Sequence, residues 1–221
     1  TTPGPGGNPN HGIGAGGGNG GGGGGGVVVP PAVDETPSKI RFSDLGEAAW
    51  AAEYINALAE KGIVSGDGDG KFRPNSFVTR EEFAKMLAEA FGVSPQAQEK
   101  STFNDMPDSH WAKGYVVALA EQGIIKGISD SLFGTGEFIT RQDTAVMITR
   151  AIEVLGKSIA EESEEIEFED STQISEYALQ SVKKAQRYGI ISGDQNRRFN
   201  PANFATRAEC AKIIYMLLNK M

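Results

Sequence analysis

Three copies of one short stretch govern what this chain folds into: Phe77-Val78-Thr79-Arg80, Phe138-Ile139-Thr140-Arg141 and Phe204-Ala205-Thr206-Arg207. Each follows a loop and opens an amphipathic run. A Phe-x-Asp triplet sets the register: Phe42 to Asp44, Phe103 to Asp105 and Phe168 to Asp170, at periods of 61 and 65 residues. An aromatic follows (Trp50, Trp111, Tyr177), then a Gly-Ile step (Gly62, Gly123, Gly189), a second glycine (Gly66, Gly127, Gly193) and a phenylalanine (Phe72, Phe133, Phe199). One helix-loop-helix unit of this size leaves a two-sided core uncovered, whereas three stacked about an axis share one. The expected fold is all-α, a pseudo-threefold bundle of three helix-loop-helix repeats over 39–95, 100–156 and 165–221.

Residues 1–38 carry no periodic apolar pattern. They run through Pro3-Gly4-Pro5-Gly6-Gly7 into seven glycines, Gly20 to Gly26. Such a segment has no side chains to bury and much backbone entropy to lose, so it reads as a flexible Gly/Pro-rich, disordered linker that tethers a further domain on its N-terminal side. A phosphate-cradling loop would need a flanking strand and helix, and neither is visible. Thr1 in place of an initiator Met reads as a fragment or a processed product. A second polar stretch, Glu161, Glu162, Glu164, Glu165, Glu167 and Glu169, reads as a solvated, self-repelling linker between the last two repeats.

Within each repeat the apolar spacing is helical twice. Trp50, Tyr54, Ile55, Leu58 and Ala59 share one face, echoed by Trp111, Tyr115, Val116, Leu119 and Ala120. Gly62, Gly123 and Gly189 stand where a left-handed cap ends these helices. The second helix shows Phe83, Met86, Leu87, Ala90 and Phe91, matched in the later repeats by stripes around Met147 and Ile214. Thr79, Thr140 and Thr206 are natural N-caps, with Glu82, Asp143 and Glu209 placed to complete or approximate a capping box.

The formal net charge of −8 argues against a nucleic-acid partner or an anionic membrane surface. One cysteine and two histidines leave no thiolate cluster and little material for a His-based metal site, so no cofactor or metal is expected. Asp67, Asp69 and Gly70 suggest a calcium loop, but Lys71 and Val78 stand at positions 5 and 12, where an acid or amide and a bidentate Glu belong. Cys210 falls on the inner stripe of the last helix and reads as a small buried hydrophobe. Trp50 and Trp111 read as core anchors whose exposed edge can stack on a sugar face, and His110 as a surface residue. An arginine in the first turn of a helix is disfavoured by the dipole, so finding one at all three N-termini asks for a reason. Either Arg80, Arg141 and Arg207 pair with Asp44, Asp105 or Asp170, or they clamp an anionic ligand beside the helix N-terminus and the glycine-bearing loop.

Together, the Phe-x-Asp opening, the Gly-Ile-x-x-Gly loop, the phenylalanine-and-proline step and the Thr-Arg helix start resemble the S-layer homology (SLH) domain, in three tandem copies from 40 to 221. The motif stands as Thr206-Arg207-Ala208-Glu209, slightly altered as Thr79-Arg80-Glu81-Glu82 and more altered as Thr140-Arg141-Gln142-Asp143. The resemblance implies a non-catalytic, extracellular anchor at the cell wall of a Gram-positive-type bacterium. Its implied ligand is secondary cell wall polymer carrying pyruvylated N-acetylmannosamine. It further implies that Arg80, Arg141 and Arg207 grip the pyruvyl carboxylate. Gly66, Gly127 and Gly193 would offer backbone to the sugar, and Asp44, Asp105 and Asp170 would bond its hydroxyls or orient the arginines. The second repeat departs most: Ile128 replaces the acid found at Asp67 and Asp194, and Gly134-Thr135 replaces Arg73-Pro74 and Asn200-Pro201. Two other classes compete with this reading. A protein-interaction module in a surface assembly would use apolar grooves between repeats. A glycoside hydrolase would need one asymmetric carboxylate pair, which the threefold pattern does not single out.

Overall fold

The computed structural model describes residues 42–96, 101–162 and 167–221. The linker expected over 1–38 and Glu164 and Glu165 of the acidic run lie outside them. Among the described residues six α-helices form, two per repeat: α1 (Ala52–Glu60), α2 (Arg80–Phe91), α3 (Lys113–Glu121), α4 (Arg141–Val154), α5 (Glu176–Arg187) and α6 (Arg207–Asn219). Extended pairing among the described residues is limited to isolated bridges.

Local chemistry sets the helix ends. Thr79 and Thr206 accept the N–H of Glu82 and Glu209, whose carboxylates return to the threonine N–H and close two capping boxes. Thr140 accepts the Asp143 N–H, but the aspartate, one methylene shorter, accepts the Thr140 hydroxyl at 2.8 Å rather than its backbone N–H, so no capping box closes. At the other end, Gly62, Gly123 and Gly189 take φ of 73°, 74° and 65°. Beside Gly62 the Ile63 N–H reaches the Leu58 carbonyl at 2.9 Å, and Ile124 and Ile190 repeat this with Leu119 and Ala185. That is the pattern of a helix stopped by a left-handed glycine with the next isoleucine tucked under it.

The repeats close on one another. Helix α3 packs on α2, α5 on α4 and α1 on α6, so every first helix leans on the second helix of the preceding repeat, with the last repeat preceding the first. The Phe-x-Thr-Arg stretches meet at the axis in a ring of three backbone bonds. The Val78 N–H donates to the Ala205 carbonyl (3.1 Å), Ala205 to Ile139 (2.9 Å) and Ile139 to Val78 (2.9 Å). Val78, Ile139 and Ala205 are fully buried there, while the rings of Phe77, Phe138 and Phe204 stand half-exposed above them, 5.4–5.6 Å apart. The pseudo-threefold all-α bundle is thus held by backbone as well as by side chains. Its core is continuous, and burying each Leu, Ile or Phe within it contributes about 1.5–3 kcal/mol.

The tryptophans correct the core-anchor expectation. Trp50 is 54% and Trp111 55% exposed. Trp50 sits in a 3₁₀ segment (Leu45–Ala51) whose backbone breaks helical geometry at Ala48, so Leu45, Ala48 and Ala51 face inward and Trp50 faces out. Trp111 lies in the turn just before α3 (Lys113–Glu121), with His110 alongside it at 5.7 Å. Cys210 is buried in α6, and that burial pushes its thiol pKa far up. The ends of the acidic run are paired: Glu161 meets Arg187 at 3.2 Å, Glu162 meets Lys220 and Glu169 meets Arg197.

Candidate functional site

Each second helix opens with its arginine turned away from the positive helix end and into the loop of the next repeat. Arg80 donates from Nε to the Phe133 carbonyl (2.9 Å) and from a terminal nitrogen to the Lys126 carbonyl (3.3 Å). Arg141 does the same to Phe199 (2.8 Å) and Ser192 (3.3 Å), and Arg207 to Phe72 and Ser65, both at 2.8 Å. Each guanidinium also lies 4.5–5.3 Å from the centre of the phenylalanine ring whose carbonyl it holds. This resolves the dipole objection, because the charge serves the neighbouring repeat.

Among the described residues Asp44, Asp105 and Asp170 make no ion pair with these arginines, which corrects the expectation that they are the partners. Asp44, Asp105 and Asp170 instead clamp their own loops. Asp44 accepts the N–H of Phe72 (2.9 Å) and Arg73 (2.7 Å), and Asp170 those of Phe199 (2.8 Å) and Asn200 (2.7 Å). Asp105 accepts three, from Phe133, Gly134 and Thr135, because Thr135 has the N–H that Pro74 and Pro201 lack. Burial works against ionising Asp44 and Asp105, yet these backbone donors outweigh it and hold both carboxyls below their ordinary range. Every clamped phenylalanine therefore offers its N–H to an aspartate and its carbonyl to an arginine of another repeat. The aspartates also hold the next N–H, of Arg73, Gly134 or Asn200, which shares a peptide group with that carbonyl and so links each aspartate to an arginine.

The second glycines have a structural reason of their own. A Cβ on Gly66 would stand 2.5 Å from the Lys71 carbonyl oxygen and 2.7 Å from the Phe42 ring. On Gly127 it would stand 2.6 Å from the Ser129 oxygen and overlap that of Leu132, whereas on Gly193 the nearest atoms are at 3.1 Å and beyond. The loop folds tightly over the ring of the Phe-x-Asp phenylalanine, which itself pairs with Phe72, Phe133 or Phe199 at 5.3–5.6 Å. Arg73 and Asn200 take a left-handed backbone (φ 57° each), and Asp67 and Asp194 bond their side chains. In the second repeat that position is Gly134 (φ 87°), which has no side chain to bond, and Ile128 replaces the acid.

Clefts open where three repeats meet. One, of about 200 Å³, lies beside Arg207, Ser65, Glu82, Lys85 and Trp111. Another, of about 1290 Å³, lies beside Arg141, Gly193, Glu209, Lys212 and Trp50 and reaches Phe77 and Phe204. The two are built alike: an arginine from one repeat, a loop and a helix face from the next, and a tryptophan from the one after. The corresponding position beside Arg80 holds Asp143, Val146 and Tyr177. Asp143 Oδ2 meets Arg80 at 3.3 Å, and Asp143 Oδ1 accepts the Tyr177 hydroxyl at 2.8 Å. Burial, together with the bond to Asp143 and its charge, pushes the Tyr177 phenol up to about 12. Arg141 pairs with Glu209 at 2.8 Å, while Arg207 has no ion pair among the described residues.

Sequence reasoning missed Lys85 and Lys212. They stand five residues after Arg80 and Arg207, and Val146 stands five after Arg141. That register was visible, but its meaning depends on which helix face the next repeat covers.

Comparison with known proteins finds one family three times along the chain. The S-layer homology domain matches residues 41–84, 102–145 and 167–211. An endoglucanase of Bacillus sp. (strain KSM-635) is 33% identical over 180 residues, covering 81% of this chain and 19% of the endoglucanase. A cellulosome-anchoring protein of Acetivibrio thermocellus is 33% identical over 120 residues, 52% of this chain and 27% of that protein. An S-layer protein of Bacillus thuringiensis subsp. finitimus is 27% identical over 173 residues, 78% of this chain and 21% of that protein. The chain thus spans about a quarter or less of each of these relatives.

Proposed function

Since the chain belongs to the S-layer homology domain family, we propose that it is a non-catalytic anchoring module which holds a surface protein on the cell envelope of a Gram-positive-type bacterium. Its ligand is secondary cell wall polymer, and the group it recognises is the carboxylate of a pyruvylated N-acetylmannosamine. Arginine beside an exposed indole suits a sugar that carries a carboxylate: the guanidinium takes the charge and the indole the apolar sugar face. The observation that carries this reading is Arg207, a half-buried guanidinium with no ion pair among the described residues, lining a cleft with Lys85 and Trp111. The overall charge of −8 does not oppose an anionic ligand, because the potential in a cleft is set by the groups that line it. Several clefts on one body raise residence on a polymer through effective concentration. Similarity to an endoglucanase extends over 19% of that enzyme, so hydrolysis is not ascribed to the shared segment.

Sedimentation with sacculi, native and stripped of secondary polymer by hydrofluoric acid, tests the proposal. Binding should vanish on stripping and be competed by a pyruvylated disaccharide. Retention on stripped sacculi would assign the ligand to peptidoglycan. The half-exposed rings of Phe77, Phe138 and Phe204 favour a second reading, assembly with another protein, which failure to bind either preparation would promote.

A further inference from the structure

We infer that the three clefts are unequal: those at Arg207 and Arg141 take the glycan, with Lys85 and Lys212 as further binding residues, while the one at Arg80 is closed by the protein's own Tyr177 and Asp143. The inference rests on the glycan reading above and concerns which copies of that site work.

Charge is the first argument. The Arg207 cleft is lined by two cations, Arg207 and Lys85, against one acid, Glu82. In the Arg141 cleft, Arg141 and Lys212 face Glu209 and Asp194, and the cleft is far larger. At Arg80 the lysine position is Val146, buried in the core, so that position brings no charge to the Arg80–Asp143 pair. An incoming carboxylate there would have to displace Asp143 from Arg80 without the lysine that the other two clefts supply.

Access is the second. The Arg80 side chain is 6% exposed and that of Arg141 16%. Gly134 and Ile128 pack beside Arg80: a Cβ on Gly134 would stand 3.0 Å from its Cδ and 3.1 Å from an Ile128 methyl. Tyr177 replaces the tryptophan of the other two clefts and adds a hydroxyl that ties down the free oxygen of Asp143 at 2.8 Å. An indole in that place has no such oxygen-bound hydroxyl. The substitutions therefore agree: Ile128 for the loop acid, Val146 for lysine, Asp143 for glutamate and Tyr177 for tryptophan all fall around one arginine.

Two measurements test this. In the first, the Nε–H resonances of the arginines are followed by NMR while the methyl glycoside of pyruvylated N-acetylmannosamine is titrated in. The resonances of Arg207 and Arg141 should move and that of Arg80 should stay. Lys85→Ala and Lys212→Ala should each weaken their own cleft by about tenfold, the loss of roughly one charge-assisted contact. Arg80 moving in step with the others would overturn the inference while leaving the glycan reading intact. No movement at any arginine would overturn the glycan reading itself. The second measurement needs no glycan: phenylglyoxal modification mapped by mass spectrometry. Arg207 should react and Arg80 be protected in the natural sequence, with Arg80 becoming reactive in Tyr177→Ala, whose ring is largely exposed and whose removal leaves the core intact. Equal reaction of Arg80 and Arg207 in the natural sequence would overturn the closure, and continued protection of Arg80 in Tyr177→Ala would show that Tyr177 is not the closing residue.

Discussion

Gly127 and Gly193 occupy one register position but differ in how tightly the backbone closes over them. Overpacking a fixed carbonyl costs about 1–3 kcal/mol. Gly127→Ala is therefore expected to lose stability in that range, and Gly193→Ala, whose nearest neighbours stand at 3.1 Å and beyond, well under half as much; urea melts of the two variants compare them. The aspartate clamps add a pH dependence. Asp105 is held below its ordinary carboxyl value of 3.8, so its stabilising contribution is complete above that value and is lost as pH falls through the lower folded-state one. Thermal melts from pH 6 down to pH 2.5 should show a decline confined to the acid end, and Asp105→Asn should flatten it while lowering stability at pH 6. Arg80, Arg141 and Arg207 were visible in the sequence as unusual residues. Their partners were not, because a backbone carbonyl in another repeat leaves no trace in composition or spacing.

Helix boundaries are written locally, and they were legible. The threonine caps, the acids three residues on and the stopping glycines all act within a turn of the chain, so one repeat suffices to read them. What the helices do with their faces is not local. The 3₁₀ segment before α1 turns Trp50 outward by shifting the inward positions to Leu45, Ala48 and Ala51, and the helical spacing that seemed to place Trp50 in the core begins only after it. The caps themselves differ measurably. Thr206→Ala removes the oxygen that accepts the Glu209 N–H at 3.3 Å, and should cost about 1 kcal/mol in a chemical denaturation experiment. Thr140→Ala should shift the phenol of Tyr177 as well, since the Thr140 hydroxyl bonds the same Asp143 carboxylate that Tyr177 does; spectrophotometric titration of the tyrosines reads that change.

In the molecule as a whole, every interface between repeats uses the same three parts: an arginine into the next loop, a first helix on the preceding second helix, and one bond of the axial ring. Removing residues 167–221 would strand Arg141 without the Phe199 carbonyl and break two of the three ring bonds, those made by Ala205. Such a two-repeat fragment is expected to lose cooperative unfolding, with a broad thermal transition by circular dichroism and poorly dispersed amide NMR signals; a sharp transition would show that the ring is dispensable. The threefold count was legible because it is written as repetition. The inequality of the clefts was not, because it appears only when residues from three repeats are seen around one arginine.

The ring of Val78, Ile139 and Ala205 bears on how such a sequence is inherited. A row of stacked units can lengthen or shorten by one copy through unequal recombination, because each unit meets only its neighbours. A closed ring cannot: one copy lost leaves an arginine without a loop and a loop without an arginine, and one copy gained has no seat. A ring of this kind is expected to be inherited as a trio, with divergence among its members, such as the cluster around Arg80, accumulating inside it.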